Sequence, residues 1–287
     1  MTYLKFIAAA AVAVAIPAAA QAGIVFGAAS YTQSLTLANS SNNTQMGATF
    51  ANGNYYTVQG GGSSSPIAQY NAAGVLTAGP TAPAPGIDFR SISATTAGAV
   101  YAHGYNNTNT MYLQGNGFNN FTAAVTLQGN VYNQEQVVVS ADGSLFYGNY
   151  IGSLQVWNKT GTLLRTVSLA GGTSQNAIVA YGDYVLNYSG GILRAFDTTT
   201  GAIVDQTNLL GAVNGSAATY GQGYGNGYFF LAGTTAGSEV GYAIGAPSAA
   251  TGAVPEPATW AMMMLGFGGM DYAMRRKNKV STRIRFA

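Results

Sequence analysis

Apolar and polar positions alternate along this chain in short runs, and turn-forming residues separate the runs. Residues 137–148 have two such arms about Asp142-Gly143. The layout recurs at 48–58 about Asn52-Gly53 and at 93–103 about Ala97-Gly98. It returns at 177–188 about Gly182-Asp183 and at 217–232 about Gly225-Asn226-Gly227. Asn and Asp bond to nearby backbone and Gly reaches positive φ, so each stretch predicts a β-hairpin. A second kind of hairpin follows. Residues 67–76, 154–163 and 193–203 align as a strand ending in an aromatic, then Asn or Asp, a Gly-closed turn and a second strand.

Two hairpins make a unit of four strands. The marker aromatics Tyr70, Tyr112, Trp157, Phe196 and Tyr242 are spaced by 42, 45, 39 and 46 residues. Four strands at a period of roughly 40–45 residues predict an all-β chain, a β-propeller of five or six four-stranded blades. The copies at Tyr112 and Tyr242 are degenerate. Residues 24–37 supply either an extra strand that closes the ring or half of a sixth blade. A parallel β-helix or a flat sandwich is the rival architecture for so glycine-rich a chain. The body resembles propellers of the WD40-like, YVTN-like or quinoprotein-like kind, with Trp157-Asn158 and Phe196-Asp197 where a Trp-Asp pair would stand.

The two ends depart from this pattern. Lys5 precedes an apolar stretch over 6–20, and Ala20-Gln21-Ala22 forms a small-x-small cleavage site. This reads as a secretory signal peptide removed before Gly23. At the other end Pro255-Glu256-Pro257 forms a stiff, extended stalk, because each proline lacks an N–H and restricts its predecessor. Residues 258–274 are apolar apart from Asp271, and as a helix they would span about 25 Å. Arg275, Arg276 and Lys277 then supply a basic stop, which is held on the cytoplasmic side of a membrane. The chain thus divides into a leader at 1–22, a body at 23–253 and a tail at 254–287.

The tail resembles a PEP-CTERM sorting signal. The resemblance rests on Pro255, Glu256, Pro257, Trp260 and Ala261, on Leu265-Gly266-Phe267-Gly268-Gly269, and on Arg275-Arg276. It implies recognition by an exosortase, a membrane-embedded transpeptidase-like enzyme, after export by the Sec machinery and signal peptidase. It further implies transient anchoring in the inner membrane, cleavage near the Pro-Glu-Pro, and a destination at the surface or matrix of a Gram-negative bacterium. Asp271 within the apolar segment and the extension over 280–287 depart from the family pattern.

Charge narrows the function classes. The body holds Arg90, Lys159, Arg165 and Arg194 against seven Asp and Glu, a net of −3, although the whole chain is +2. No basic patch serves nucleic acid, and the chain has no Cys for disulfides or thiolate sites. The single histidine, His103, is expected to be structural or exposed rather than a general base. One His without Cys argues against zinc, and the scattered carboxylates Asp142, Asp183 and Asp197 suit turns better than calcium. Glycine-rich stretches at 60–65 and 221–227 lack the spacing and context of phosphate or dinucleotide loops, so no cofactor is expected.

The 19 tyrosines, many beside Asn, Gln and Ser, offer ring faces and adaptable hydrogen bonds suited to neutral sugars. The expected function is a non-catalytic surface or matrix protein that binds exopolysaccharide or matrix protein neighbours. The alternative is a secreted hydrolase or lyase with its site in a propeller channel.

Overall fold

The computed structural model describes residues 25–41, 43–61, 65–84, 86–106, 109–171, 176–212 and 220–247. The leader positions Ala20, Ala22 and Gly23 and the tail positions from Pro255 to Lys277 lie outside these. Within them the turn signals act as their chemistry dictates. The carboxamide of Asn71 accepts from the N–H of Ala73 and Val75, both at 3.0 Å. Asn158 does the same for Thr160 and Thr162, and Asp197 for Thr199 and Thr200. Each aligned hairpin is therefore closed by one side chain that replaces strand hydrogen bonds at the turn.

Twenty strands form among the described residues. After β1 (Ser30–Ala38), unit one comprises β2 (Thr44–Ala51), β3 (Asn54–Gly60), β4 (Ile67–Asn71) and β5 (Leu76–Thr81). Unit two holds β6 (Phe89–Ala94), β7 (Val100–Gly104), β8 (Thr110–Gln114) and β9 (Phe121–Thr126). Unit three holds β10 (Gln136–Val139), β11 (Leu145–Tyr150), β12 (Ser153–Asn158) and β13 (Leu163–Ser168). Unit four holds β14 (Val179–Tyr181), β15 (Tyr184–Ser189), β16 (Ile192–Asp197) and β17 (Ile203–Leu210). The last strands are β18 (Gln222–Gly225), β19 (Tyr228–Ala232) and β20 (Ser238–Ala243).

Those last three strands form an antiparallel meander completed by β1, which pairs with β20 from Gln33↔Tyr242 to Ala38↔Ser238. The segment before unit one is thus the fourth strand of unit five, and among the described residues no sixth unit forms. Tyr242 consequently heads no second hairpin, because its outer neighbour comes from the other end of the chain. All five marker aromatics occupy the third strand of a unit, and all are buried.

Parallel links at Tyr224↔Thr49 and at Ser30–Thr32 with Asn208–Leu210 join units four, five and one into a single 12-stranded sheet. Units two and three remain separate four-stranded sheets. Apolar side chains fill the spaces between successive units. Val156 and Tyr147 of unit three meet Phe196 and Val185 of unit four, and Tyr55 and Tyr70 of unit one meet Phe230 and Leu37 of unit five. The first strands touch in cyclic order: β2 with β6, β6 with β10, β10 with β14, β14 with β18, and β18 with β2.

The joint between units five and one explains the alternate glycines at 221–227. A Cβ on Gly221 would lie 2.7 Å from the Gln45 carbonyl oxygen, and one on Gly223 or Gly225 would collide with the backbone of Ala48 or Phe50. Main chain meets main chain there, and only glycine fits.

Candidate functional site

The five first strands have two ends with different chemistry. At the trailing end, where these strands finish, they border a cavity of about 550 Å³. Its walls are largely backbone and apolar side chains such as Ile92, Val138 and Val179. Every polar side chain in the wall has a protein partner. Thr49 Oγ1 donates to the Tyr224 carbonyl and Thr96 Oγ1 to that of Ala141. The Tyr224 hydroxyl donates to the Gly245 carbonyl, and Asn226 Nδ2 to the Tyr55 hydroxyl. Ser93 accepts from the Val139 N–H and Thr95 from that of Ala99. Burial pushes the Tyr224 phenol up to about 12, so it stays neutral.

The leading end, where the strands begin, is polar. Gln136 stands at the start of β10, and its side chain reaches three other units. Nε2 donates to the carbonyls of Met46 and Tyr220, and Oε1 accepts from the Ile178 N–H at 3.4 Å. One amide therefore ties together the strand starts of units one, three, four and five. Beside it lies a second cavity of about 280 Å³ lined by Thr44, Met46, Arg90, Gln134 and Tyr220, with Gly60 and Gly61. Arg90 pairs with Asp88 at 2.7 Å, and its guanidinium carbon lies 4.5 Å from the centre of the Tyr105 ring. Asp88 also accepts from the Gly61 N–H and the Ser65 hydroxyl, both at 3.3 Å. The pair is thus charge-compensated and held in one orientation.

Buried polar atoms without a protein partner gather at this end. They include Arg90 Nε, Gln134 Oε1, Glu135 Oε1, both side-chain amide atoms of Gln45, and Glu239 Oε2. Each such atom costs about 1–3 kcal/mol if left unpaired. Glu135 accepts the Tyr132 N–H through Oε2 at 3.0 Å, while burial raises its carboxyl to about 8. A Cβ on Gly148 would strike its Oε1 and lie 2.9 Å from the Trp157 ring, so this glycine makes room for the acid. Glu239, fully buried, accepts the Gly47 N–H at 3.1 Å and is raised well above the usual carboxyl range by desolvation.

An exposed aromatic patch borders the leading end. Tyr132 and Tyr150 stack with ring centres 3.9 Å apart and planes 11° from parallel, and Tyr132 is 40% exposed. Ile151, the next residue, is 58% exposed and has φ +50°. The other described non-glycine residues with positive φ are Asn52 and Asn226, the residue type that tolerates it. A β-branched residue in that region costs on the order of 1–3 kcal/mol, and burial offsets little of it here. The Ile151 N–H is held by Asn176 Oδ1 at 3.3 Å and the Gly152 N–H by Asn149 Oδ1 at 3.1 Å.

His103 is fully buried in β7, opposite Ser91 and Met111. The Ser91 hydroxyl donates to the Val137 carbonyl at 2.6 Å and is committed there. Asp142 accepts from Ser140 and Ser144 in its turn, which lowers its carboxyl to about 2. Among the described residues no group of three or more His, Cys, Asp or Glu could hold a metal. Gln136, Glu135 and Ile151 carried no signal in the sequence, since nothing in a lone Gln, Glu or Ile announces burial or a left-handed backbone.

Residues 253–277 match the family model described as the PEP-CTERM protein-sorting motif. The chain carries a PEP-CTERM sorting motif. It implies an exported protein that is sorted by an exosortase through a membrane-anchored signal and passes to the cell surface. Pro255, Glu256, Pro257, Trp260, Ala261, Arg275, Arg276 and Lys277 all fall within the match. Among the described residues no helix is long and apolar enough to cross a membrane. No curated protein matches the chain. Solved structures do: glutaminyl cyclase of Myxococcus xanthus is 13% identical, with a TM-score of 0.55 over 75% of this chain and 97% of that one. The likeness is one of fold alone, and it agrees with the resemblance of the body to a β-propeller.

Proposed function

We propose that this PEP-CTERM protein is a surface or extracellular-matrix component whose body is a non-catalytic propeller that binds exopolysaccharide or other biofilm components. The observation that carries this reading is the sorting motif at 253–277. The body is a closed ring of five blades, supported by the cyclic contacts of the first strands and by β1 completing unit five. An N-terminal signal peptide delivers the chain to the Sec machinery, and signal peptidase releases Gly23. The exosortase then acts near Pro255–Pro257, and the body is left at the surface.

Intact mass of the protein from its native bacterium, with and without the exosortase, tests this reading. A mature chain from Gly23 to the Pro-Glu-Pro region, lost without the exosortase, is expected. Retention of residues 260–287 in both strains would make the tail a plain anchor.

A second reading, a hydrolase or lyase, draws on one feature: Glu135, raised to about 8, is adjacent to the cavity-lining Gln134. A hydrolytic activity on polysaccharide that E135Q abolishes, with folding intact, would replace the first reading with this one.

A further inference from the structure

We propose that the leading end of unit three, with the cavity beside it, is a binding site for a neutral glycan, with the Tyr132–Tyr150 stack as platform and Arg90 and Gln134 as hydrogen-bonding partners. This rests on the surface-protein reading and names the ligand class and the residues that bind it.

Four observations converge on this class of ligand. The first is an exposed aromatic surface: two stacked rings, one of them 40% exposed, with Ile151 beside them at 58%. A stacked pair restrains both side chains before any ligand arrives, so little rotamer entropy remains to be lost on binding. The second is the polar complement. Gln134, two residues from Tyr132 on the same loop, lines the 280 Å³ cavity and has an Oε1 without a protein partner. Arg90 lines the same cavity and its Nε–H is likewise unpartnered. The first is an open acceptor and the second an open donor, both buried at the cavity wall, and a hydroxyl entering the cavity has the chemistry to satisfy either.

The third observation is charge. Arg90 is neutralised by Asp88 at 2.7 Å, and Glu135 is sealed behind Gly148 and the Trp157 ring. The surface therefore offers an uncharged ligand hydrogen bonds and ring faces, while an anionic chain finds no free cation among the described residues of the cavity wall. The cavity is slightly smaller than the ~300–1,000 Å³ of ordinary small-molecule sites, which suits one ring of a longer chain lying across the rim. The fourth is strain without compensation. Ile151 keeps a left-handed backbone and an exposed side chain where Asn or Gly would be at ease. Strain of this kind collects where a ligand contact repays it.

The trailing cavity offers the contrast. It is larger, yet each of its described polar side chains makes at least one hydrogen bond within the protein, and none holds a buried polar atom without a partner.

The full chain in detergent, titrated by calorimetry with cellohexaose, N-acetylglucosamine hexamer and an oligogalacturonate of equal length, tests the proposal. Saturable binding of a neutral hexamer is expected, with the galacturonate weaker. Tyr132→Ala should weaken binding at least tenfold. Ile151→Gly should weaken it several-fold while the melting temperature rises, a pairing that a merely structural role would not produce. Thr96→Ala at the trailing end should leave binding unchanged. Equal affinity in the native chain and a folded Tyr132→Ala variant would overturn the site, as would tighter binding of the galacturonate. Failure of both neutral hexamers to bind would overturn the ligand class, and correct sorting in the mass experiment would then leave the surface assignment standing.

Discussion

The leading and trailing ends of the first strands are built from the same five units, yet they resolve their polar groups in opposite ways. At the trailing end Thr49, Ser93, Thr95, Thr96, Tyr224 and Asn226 all find partners within the protein, and the backbones of β18 and β2 close against each other. At the leading end Gln45, Arg90, Gln134, Glu135 and Glu239 keep buried polar atoms unpaired, and Ile151 is strained in the open. Polar groups are paired within the protein at one end and left open at the other. Folding tolerates such an imbalance because apolar packing between successive units is extensive.

The largest test bears on the trailing end. Gly223→Ala places a methyl against the backbone of Ala48, which cannot move without separating units five and one. The expected loss is more than about 4 kcal/mol, measured as the urea midpoint, because neither strand can relax alone. Gly190, with open space where a Cβ would stand and φ +61°, provides the control at about 1 kcal/mol on substitution by Ala. Similar losses at both positions would mean that the backbone joint contributes nothing special.

The next effect belongs to the leading end. Unfolded Glu135 releases its proton near the usual 4.5, whereas the folded group holds it to about 8. Between these values the folded state binds more protons, so raising the pH destabilises the protein by on the order of 1 kcal/mol per pH unit. The loss levels off above about pH 8 for this group. Glu239 acts in the same direction, beginning as pH rises past the ordinary carboxyl range. Melting temperatures from pH 5 to pH 8 should therefore fall, and E135Q with E239Q should flatten the curve. A native profile that rises over this range would refute the assignment of both acids as neutral.

Smaller effects refine the contrast. Ile151→Gly should raise stability by about 1 kcal/mol through relief of the left-handed strain, read as a higher melting temperature. Thr96→Ala should cost about 1 kcal/mol or less, since it removes a single bond to the Ala141 carbonyl at an exposed position. If Thr96→Ala cost more than Gly223→Ala, hydrogen bonds rather than backbone fit would hold the trailing end.

Much of the architecture was legible in the sequence because its causes are local. Asn71, Asn158 and Asp197 close their turns with their own side chains, so the hairpins follow from a few neighbouring residues. The aromatics at Tyr70, Trp157 and Phe196 recur because each unit buries one large side chain at the same third-strand position. The alternate glycines at 221–227 were visible but not interpretable, since their reason is the backbone of β2, some 175 residues earlier in the pairing Tyr224↔Thr49. The candidate site was the least legible part. Tyrosine abundance suggested sugar contact, but which tyrosines stack in the open depends on how the loop before β10 meets the end of β11.

The sequence by itself determined the hairpins, the period of the units and the address at the C-terminus, because turn chemistry, alternation and a linear motif each act over a few residues. Tertiary structure decided where β1 goes, joining Leu37 to Glu239 across 202 positions, and which polar groups are left unpaired. Those outcomes depend on the match of surfaces between units, and no short stretch of sequence contains both sides of such a match.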